Sequence, residues 1–239
     1  PPRSTLFPYT TLFRSQLLDR IDGATVLRME ENLHFLRGVN RAAKEASAPY
    51  LLLLNNDTEV APGAIDAAAA RLDAEPDLGA VGGPILRLDG TLQEAGAIIW
   101  RDGHTEGYGR GADPEAWEFG FRRDVDYCSG AFLMVRRDLF EALGGLDQAY
   151  APAYFEETDL CMRIRQAGFR VGYEPAARIM HFEYGSASSG GEAPALYTRS
   201  HRLFVERHRE TLERSHLPPE AGALRARMRR AAPGAALVL

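Results

Sequence analysis

Apolar residues occur along this chain in short runs that end abruptly in polar residues. One such run is Leu51–Leu54, which is followed at once by the polar segment Asn55–Glu59. Four consecutive apolar residues are typical of a short strand that is covered on both faces, as at the centre of a parallel α/β sheet. Because open α/β sheets bind ligands at the carboxyl ends of their strands, the pattern predicts a ligand site at Asn55–Glu59.

The other apolar segments alternate between runs of strand length and stretches with helical spacing, which predicts an α/β fold. The predicted strands are 24–29, 51–54, 79–86, 97–100, 131–135, 169–173 and 177–180. The predicted helices are 37–46, 64–74, 137–143, one that starts near residue 156 and ends near 168, and 196–212. Residues 101–123 are rich in Gly, Asp and Arg, so we expect a surface loop there.

Composition narrows the class of protein. The 239 residues are 45% hydrophobic and carry a formal net charge of -5. This charge argues against a nucleic-acid-binding protein, whose footprint is a strongly basic face. Cys128 and Cys161 are the only cysteines, and they lack the spacing of a zinc site or a disulfide scaffold. No apolar run approaches the ~18 residues of a membrane span. We therefore expect a cytoplasmic protein.

The first residues need a separate interpretation. Thr5–Ser15 resembles the conceptual translation of a common sequencing adapter. We therefore expect residues 1–15 to be non-native and set them aside from the fold. The interpretation also predicts that the natural N-terminal segment is absent. It requires that the native transcript lack these codons, which resequencing of the locus tests.

The polar segment after the leucines is the first candidate for chemistry. Asn55, Asp57 and Glu59 are oxygen donors at alternate positions. Mg²⁺ and Mn²⁺ prefer such donors when they also hold a phosphate. The alternative interpretation is a polar turn that caps the next helix, since Asn, Asp and Thr favour both places. The segment alone leaves both interpretations open.

A second candidate is the acidic start of the predicted helix that ends near residue 168. Glu156, Glu157 and Asp159 all fall within its first turn. Three carboxylates placed together in this way are a candidate functional site. The alternative is that acidic residues in a first helical turn only complement the helix macrodipole.

Six short motifs occur in a fixed order along the chain. They are Asn55-Asn56-Asp57, Ser129-Gly130-Ala131, Gly144-Gly145-Leu146-Asp147, Tyr154-Phe155-Glu156-Glu157-Thr158-Asp159-Leu160-Cys161, Gly168-Phe169-Arg170-Val171, and His181 with Ser188-Ser189. Their order and spacing resemble those of family 2 glycosyltransferases, and most closely the bacterial rhamnosyltransferase-like branch. The resemblance covers about residues 31–208.

The resemblance implies a GT-A fold, a mixed central sheet flanked by helices. Residues 16–190 would form a partial glycosyltransferase domain, and residues 191–239 a helical basic tail. The family normally begins with a strand, a helix and a second strand that hold the nucleotide. That segment has no counterpart in this sequence, so we expect the first strands of the sheet to be missing. The chain as written is then expected to be impaired in activity.

The resemblance also implies a metal site. Asn55 and Asp57 match the first and third positions of the family's DxD motif, and His181 matches a further metal ligand of some members. The expected cofactor is Mn²⁺ or Mg²⁺. Asn55 stands where the family more often has an aspartate, which leaves fewer negative charges on the cation.

The implied catalytic residues lie on the acidic helix. Glu157 matches the catalytic base, with Glu156 and Asp159 beside it, and aspartate is commoner than glutamate at the position of Glu157. The residues expected to contact the donor or the acceptor are Asn56, Gly130, Ala131 and Tyr154.

The implied activity is an inverting transfer of a sugar from a nucleotide-diphosphate donor, dTDP-rhamnose or a UDP-sugar. The acceptor would be a saccharide or a lipid-linked saccharide in cell-surface polysaccharide synthesis. Two alternatives are a catalytically inactive nucleotide-sugar or glycan-binding module and a sugar-phosphate nucleotidyltransferase. The arginine-rich tail predicts peripheral contact with the inner face of the plasma membrane. Its alternative is a solvated helix followed by a disordered end.

Overall fold

The structure is a computed structural model that describes residues 20, 22–23, 25–182 and 193–228. The chain divides into two compact units, residues 1–33 and 34–239. In the first unit, the described residues 25–33 form neither helix nor strand. The strand predicted over residues 24–29 is therefore wrong in its described part. The segment interpreted as adapter-derived lies outside the described residues.

The second unit alternates short strands with helices, as the sequence pattern predicts. The helices are α1 (His34–Ala43), α2 (Ala64–Ala74), α3 (Arg137–Ala142), α4 (Glu156–Gln166), α5 (Ala193–Ser215) and α6 (Ala223–Met228). The first strands are β1 (Tyr50–Leu54), β2 (Thr58–Val60), β3 (Leu78–Gly82), β4 (Pro84–Leu86), β5 (Leu92–Ala95) and β6 (Ala97–Ile99). The later strands are β7 (Thr105–Gly107), β8 (Arg123–Asp124), β9 (Phe132–Arg136), β10 (Arg170–Tyr173) and β11 (Ile179–His181).

The main sheet has five strands in the order β1-β9-β3-β10-β8. β3 and β10 pair in parallel, whereas β1 pairs antiparallel with β9, with Leu52 opposite Met134. Among the described strands, β1 therefore lies at the edge of the sheet, and its prediction as a central parallel strand is wrong. Its burial alternates, with Leu51 and Leu53 buried and Leu54 40% exposed. Four leucines in a row gave no sign of this alternation.

A second sheet of four strands, in the order β2-β11-β4-β5, positions the candidate site. β2 and β11 pair antiparallel, which places His181 opposite Thr58. The strand predicted over residues 79–86 is divided at Gly83. A Cβ atom at Gly83 would lie 1.9 Å from the carbonyl oxygen of Ala177, so the backbone approaches too closely there for any side chain. β2 and β5 were not predicted.

The residues between β6 and β8 are more ordered than a surface loop. They contain β7 and a 3₁₀ turn at Trp117–Phe119, and the side chains of Tyr108 and Phe119 are buried. The hydroxyl of Tyr173 on β10 donates to the carbonyl of Phe119 over 3.0 Å. The loop prediction is therefore wrong for these residues. Glycines and charged residues outnumber the few aromatic side chains that anchor this segment.

Helix α5 packs against the domain through one face, on which Ser200, Phe204, His208 and Leu212 are buried. It is longer at both ends than the predicted helix over 196–212. No helix in the described part of the chain is long and apolar enough to cross a membrane.

Candidate active site

The ends of β1 and β11 bring three of the predicted metal ligands together. His181 Nε2 lies 3.3 Å from Asp57 Oδ1 and 3.4 Å from Asn55 Nδ2. The backbone fixes this arrangement, because the amide of Phe182 donates to the carbonyl of Asp57 over 2.8 Å. The hydroxyl of Thr58 donates to the carbonyl of Asn55 over 2.7 Å. The polar turn is thus tied to the strand that carries the histidine.

These side chains fit a divalent cation. Adjacent ligands about 2.1 Å from one octahedral ion lie about 3.0 Å apart, close to the 3.3 Å between His181 Nε2 and Asp57 Oδ1. Within the described part of the chain, no three His, Cys, Asp or Glu side chains are grouped so as to hold a metal ion. The chain would therefore supply Asp57 and His181, and Asn55 through its amide oxygen; the Asn55 atom that faces His181 here is Nδ2, which donates hydrogen bonds and does not bind a cation. Such an incomplete set suits an ion that also binds substrate phosphates.

Gln93 on β5 completes this cluster, and sequence analysis did not identify it. Its Oε1 lies 2.8 Å from Nδ1 of His181, on the side of the ring opposite Asp57. The signal available in the sequence was weak, since one glutamine between Leu92 and Glu94 has no distinctive pattern. Only the pairing of β4 with both β5 and β11 brings the two residues together.

The predicted base, Glu157, is held at the start of α4. The backbone N–H groups of Glu157 itself, Gly130 and Thr158 lie near its carboxylate and favour its charged form. Burial raises the pKa of Glu157, and these N–H groups oppose the rise. Gly130 leaves little space at this approach, since a Cβ atom there would lie 3.2 Å from Cζ of Phe35 and 3.6 Å from Cβ of Glu157.

Glu156 is also buried, and within the described residues its Oε2 has no hydrogen-bond partner. Burial, and then the neighbouring charge of Glu157, raises the pKa of Glu156 to about 8. The two adjacent carboxyl groups therefore resist being charged together. At neutral pH this pair holds a proton more readily than two exposed carboxylates would.

Glu94 is a third carboxyl group near this cluster, and it was missed in the sequence. It is buried on β5, and its Oε1 accepts from the backbone N–H of Ser129 over 3.1 Å. Burial raises its pKa to about 7; the Ser129 N–H opposes the rise, and the charge of Glu157 adds to it. The consecutive residues Ser129 and Gly130 thus lie against Glu94 and Glu157 respectively. A carboxylate between Gln93 and Ala95 gave no distinctive sequence signal.

Asp159 belongs to a different environment from Glu157. It is fully buried; its Oδ1 lies 2.8 Å from Nε2 of His208 and accepts from the hydroxyl of Tyr150 over 3.1 Å. Arg163 donates to its Oδ2 over 2.6 Å. Burial alone would raise the pKa of Asp159, but the hydrogen bond from His208 and the charge of Arg163 hold it below its ordinary value. These contacts form an ion-pair network that joins α4 to α5.

Two residues that precede α4 adopt unusual backbone angles. Tyr154 has φ 75° and Phe155 has φ 69°, a left-handed conformation that costs an aromatic residue on the order of 1–3 kcal/mol. Phe155 is buried, with its ring 5.2 Å from that of Phe204. Tyr154 is half-exposed beside Tyr197. Packing against α5 therefore sustains a strained turn that aims Glu156 and Glu157.

Of the other predicted site residues, Ala131 contacts a candidate metal ligand, whereas Asn56 lies at the surface. The carbonyl of Ala131 accepts the backbone N–H of Asn55 over 3.2 Å, which joins the Ser129–Ala131 segment directly to the cluster of Asn55, Asp57 and His181. Asn56 and Glu59 are exposed. The structure thus links Asn55, Asp57 and His181 to the Gly130 turn that contacts Glu157.

Comparison with known proteins decides the family. A model of "Glycosyl transferase family 2" matches residues 10–144 of the chain. The chain belongs to glycosyltransferase family 2. The family resemblance predicted from the motifs is thereby confirmed. The match begins within residues 1–15, and the adapter interpretation of that segment stays a prediction.

Several curated proteins are similar in sequence to this family-2 chain. The chain is 31% identical over 173 residues to the uncharacterized protein y4gI of Sinorhizobium fredii, which covers 70% of the chain and 19% of that protein. It is 32% identical over 172 residues to the O-antigen biosynthesis protein RfbC of Myxococcus xanthus, which covers 69% of this chain and 13% of that protein. It is 28% identical over 253 residues to the N-acetylglucosaminyl-diphospho-decaprenol L-rhamnosyltransferase of Mycobacterium tuberculosis. This alignment covers 89% of this chain and 81% of that protein. The chain therefore spans only a small part of the first two relatives.

Two solved glycosyltransferases share the fold of this family-2 chain. GalNAc-T7, solved with UDP, GalNAc and Mn²⁺, aligns with a TM-score of 0.59 at 16% identity, over 85% of this chain and 39% of that one. The mannosyltransferase PcManGT of Pyrobaculum calidifontis, solved with GDP-Man and Mn²⁺, aligns with a TM-score of 0.52 at 17% identity, over 89% and 53%. The predicted GT-A-type mixed α/β fold is confirmed.

Proposed function

We propose that this chain carries the catalytic centre of an inverting glycosyltransferase that moves a sugar from a nucleotide-diphosphate donor to a saccharide or lipid-linked acceptor. The observation that carries the proposal is the connection between the candidate metal ligands and the candidate base. Asp57 and His181 lie within 3.3 Å of each other in a geometry that fits a cation. Gly130 lies against the half-buried Glu157, since a Cβ atom at Gly130 would be 3.6 Å from Cβ of Glu157. Ala131 joins the two sets of residues through its hydrogen bond with Asn55.

In this proposal the side chains have separate tasks. Asp57, His181 and Asn55 hold Mn²⁺ or Mg²⁺, which when bound supplies Lewis-acid stabilisation of the charge on the leaving diphosphate. Glu157 accepts the proton of the acceptor hydroxyl as that oxygen attacks the anomeric carbon from the face opposite the leaving group. The carbon–oxygen bond to the diphosphate breaks as the new glycosidic bond forms. Burial favours this base, since a raised pKa makes the carboxylate a better proton acceptor.

The relatives support the choice of donor and acceptor. The Mycobacterium tuberculosis relative is named as an L-rhamnosyltransferase acting on a diphospho-decaprenol, and the solved neighbours hold UDP or GDP-Man with Mn²⁺. We therefore propose dTDP-rhamnose or a UDP-sugar as the donor, and a lipid-linked saccharide as the acceptor.

Thermal unfolding of the full chain with Mn²⁺ and UDP, dTDP or GDP tests the donor site. We expect one nucleotide to raise the melting temperature only when Mn²⁺ is present, since a ligand at ~100 times its dissociation constant stabilises by about 2.7 kcal/mol. Asp57→Asn should abolish this shift. Asp66→Asn, an exposed site on α2, is the matched control and should keep it. Absence of a shift with every nucleotide would contradict the proposal.

We extend the proposal to contact with an anionic membrane surface, where a lipid-linked acceptor would lie. Leu224 and Met228 are exposed one turn apart on α6, with Arg225 between them, and Arg229-Arg230 follow in the sequence. Exposed apolar side chains beside arginines suit the interface of an anionic bilayer. The outer face of α5 suits it less, because basic and acidic residues are mixed there. These exposed residues include Arg202, Glu206, Arg207, Arg209, Glu210, Glu213 and Arg214.

Sedimentation of the full chain with phosphatidylglycerol-containing vesicles tests this surface. The double variant Leu224→Glu/Met228→Glu should lose most binding at low salt, because it places two carboxylates in the interface. Arg202→Gln/Arg209→Gln lowers the net charge by the same two units on α5 and should bind as the parent does. Equal loss in both variants would assign the attraction to net charge and contradict an α6 interface.

A further inference from the structure

Gln93 has a specific geometric relation to His181. Its amide oxygen lies 2.8 Å from Nδ1 of the imidazole, and the ring's other nitrogen, Nε2, points at Asp57 and Asn55. Both side chains are mostly enclosed, so water competes weakly for this contact. Gln93 lies on β5 and His181 on β11, with β4 between them in the same sheet.

The contact selects one form of the imidazole. An amide oxygen has no hydrogen to give, so Nδ1 of His181 must carry the proton and donate it to Gln93 Oε1. In the neutral ring, Nε2 then offers a lone pair, and the Asn55 amide nitrogen lies 3.4 Å from Nε2. That lone pair faces a carboxylate oxygen of Asp57 at 3.3 Å. Two electron-pair donors face each other at this distance favourably only when a proton or a cation lies between them.

We infer that Gln93 is a positioning residue for the metal-binding function of His181. By accepting the Nδ1 proton it holds the ring in the tautomer and orientation in which Nε2 binds a cation together with Asp57. Ligating histidines generally donate their second ring N–H to such a partner, and removal of the partner typically lowers metal affinity 10–100-fold. The inference rests on the proposed function, because it assigns Gln93 to the same metal site.

The neighbouring residue makes the assignment specific. Glu94, next to Gln93 on the strand, turns to the other face and contacts Ser129. Adjacent residues of β5 therefore serve the two halves of the site, Gln93 the metal side and Glu94 the side of Glu157. Because side chains alternate along a strand, a change at Gln93 leaves the face that carries Glu94 intact.

Titration of the full chain with Mn²⁺, followed by electron paramagnetic resonance of the free ion, tests the inference. Gln93→Leu keeps a similar volume without the acceptor and should weaken Mn²⁺ binding 10–100-fold. Gln93→Glu restores an acceptor and should bind within a few-fold of the parent. Gln148→Leu, at an exposed site, controls for loss of an amide. Unchanged affinity in Gln93→Leu overturns the inference and leaves the metal site standing. Failure of the parent itself to bind Mn²⁺ removes the proposed function.

Nitrogen NMR of the His181 ring gives a readout that needs no metal. When the ring is neutral, the parent should carry its one proton on Nδ1, and Gln93→Leu should shift that proton towards Nε2, the tautomer that prevails in solution. The His181→Asn spectrum identifies the resonances. The same tautomer in parent and Gln93→Leu would overturn the inference even if metal affinity fell, because the fall would then reflect packing.

Discussion

Replacement of Glu157 by glutamine should lower kcat by about 10²–10⁴, the usual contribution of a positioned general base, and leave nucleotide affinity nearly unchanged. The amide keeps the shape of the side chain but cannot accept the proton of the attacking hydroxyl. It also removes the charge of a half-buried carboxylate beside Glu156, so the variant should fold at least as well as the parent. The measurement is release of nucleoside diphosphate from the donor sugar whose nucleotide gives the metal-dependent thermal shift.

The control is Glu213→Gln, a substitution at an exposed position of α5, which should keep parental kcat. Nucleotide affinity of Glu157→Gln, measured by the same thermal shift, separates a chemical defect from a binding defect. Parental turnover in Glu157→Gln would remove this residue from the chemistry. The adjacent carboxyl of Glu156 would then be the next candidate.

The raised pKa of Glu157 has a consequence for the pH dependence of this reaction. A general base must be deprotonated to act, and burial raises the pKa of Glu157 above its ordinary range. Turnover should therefore fall as the pH falls through that raised pKa, at a higher pH than an exposed glutamate would set. This fall in turnover at low pH should be absent from the residual activity of Glu157→Gln.

Local sequence pattern was sufficient to place most helices and strands. Helix α2 has the predicted bounds, Ala64–Ala74, because an alanine-rich stretch ends before Pro76. β9 and β10 lie within one residue of their predicted positions. The order of pairing was not predictable in the same way. Whether the leucine strand sits at the centre or the edge of a sheet depends on contacts with distant segments, such as β9, that its own composition does not encode.

The candidate site shows the same division. Asp57, His181 and Glu157 were identifiable because they belong to motifs with characteristic neighbours. Gln93 and Glu94 were not, since each owes its place to β5, a strand of four residues that was itself missed. Acidic residues at a helix start were also indistinguishable by sequence. Only the structure separates Glu157, which faces the Gly130 turn, from Asp159 two residues later, which faces His208.

Asp159→Asn should destabilise the protein by about 3–5 kcal/mol, the usual cost of removing one partner from a buried ion pair. Asparagine keeps the shape but leaves Arg163 beside an uncharged group in the buried network with His208. Urea unfolding at neutral pH measures this loss. Glu210→Gln, which breaks an exposed pair with Arg214, is the matched control and should cost well under 1 kcal/mol.

The pH dependence of unfolding identifies the charge responsible. The pKa of Asp159 is lower in the folded protein than its ordinary value, so its ion pairs stabilise the fold above the unfolded pKa. That contribution disappears as the pH falls through the folded pKa. The stability difference between parent and Asp159→Asn should therefore shrink on acidification. A variant with parental stability but 10²-fold lower kcat would instead place Asp159 in the chemistry. We expect instead that the variant loses stability and that its folded fraction retains kcat. Asp159 would then be a structural residue that holds α4, and with it Glu157, against α5.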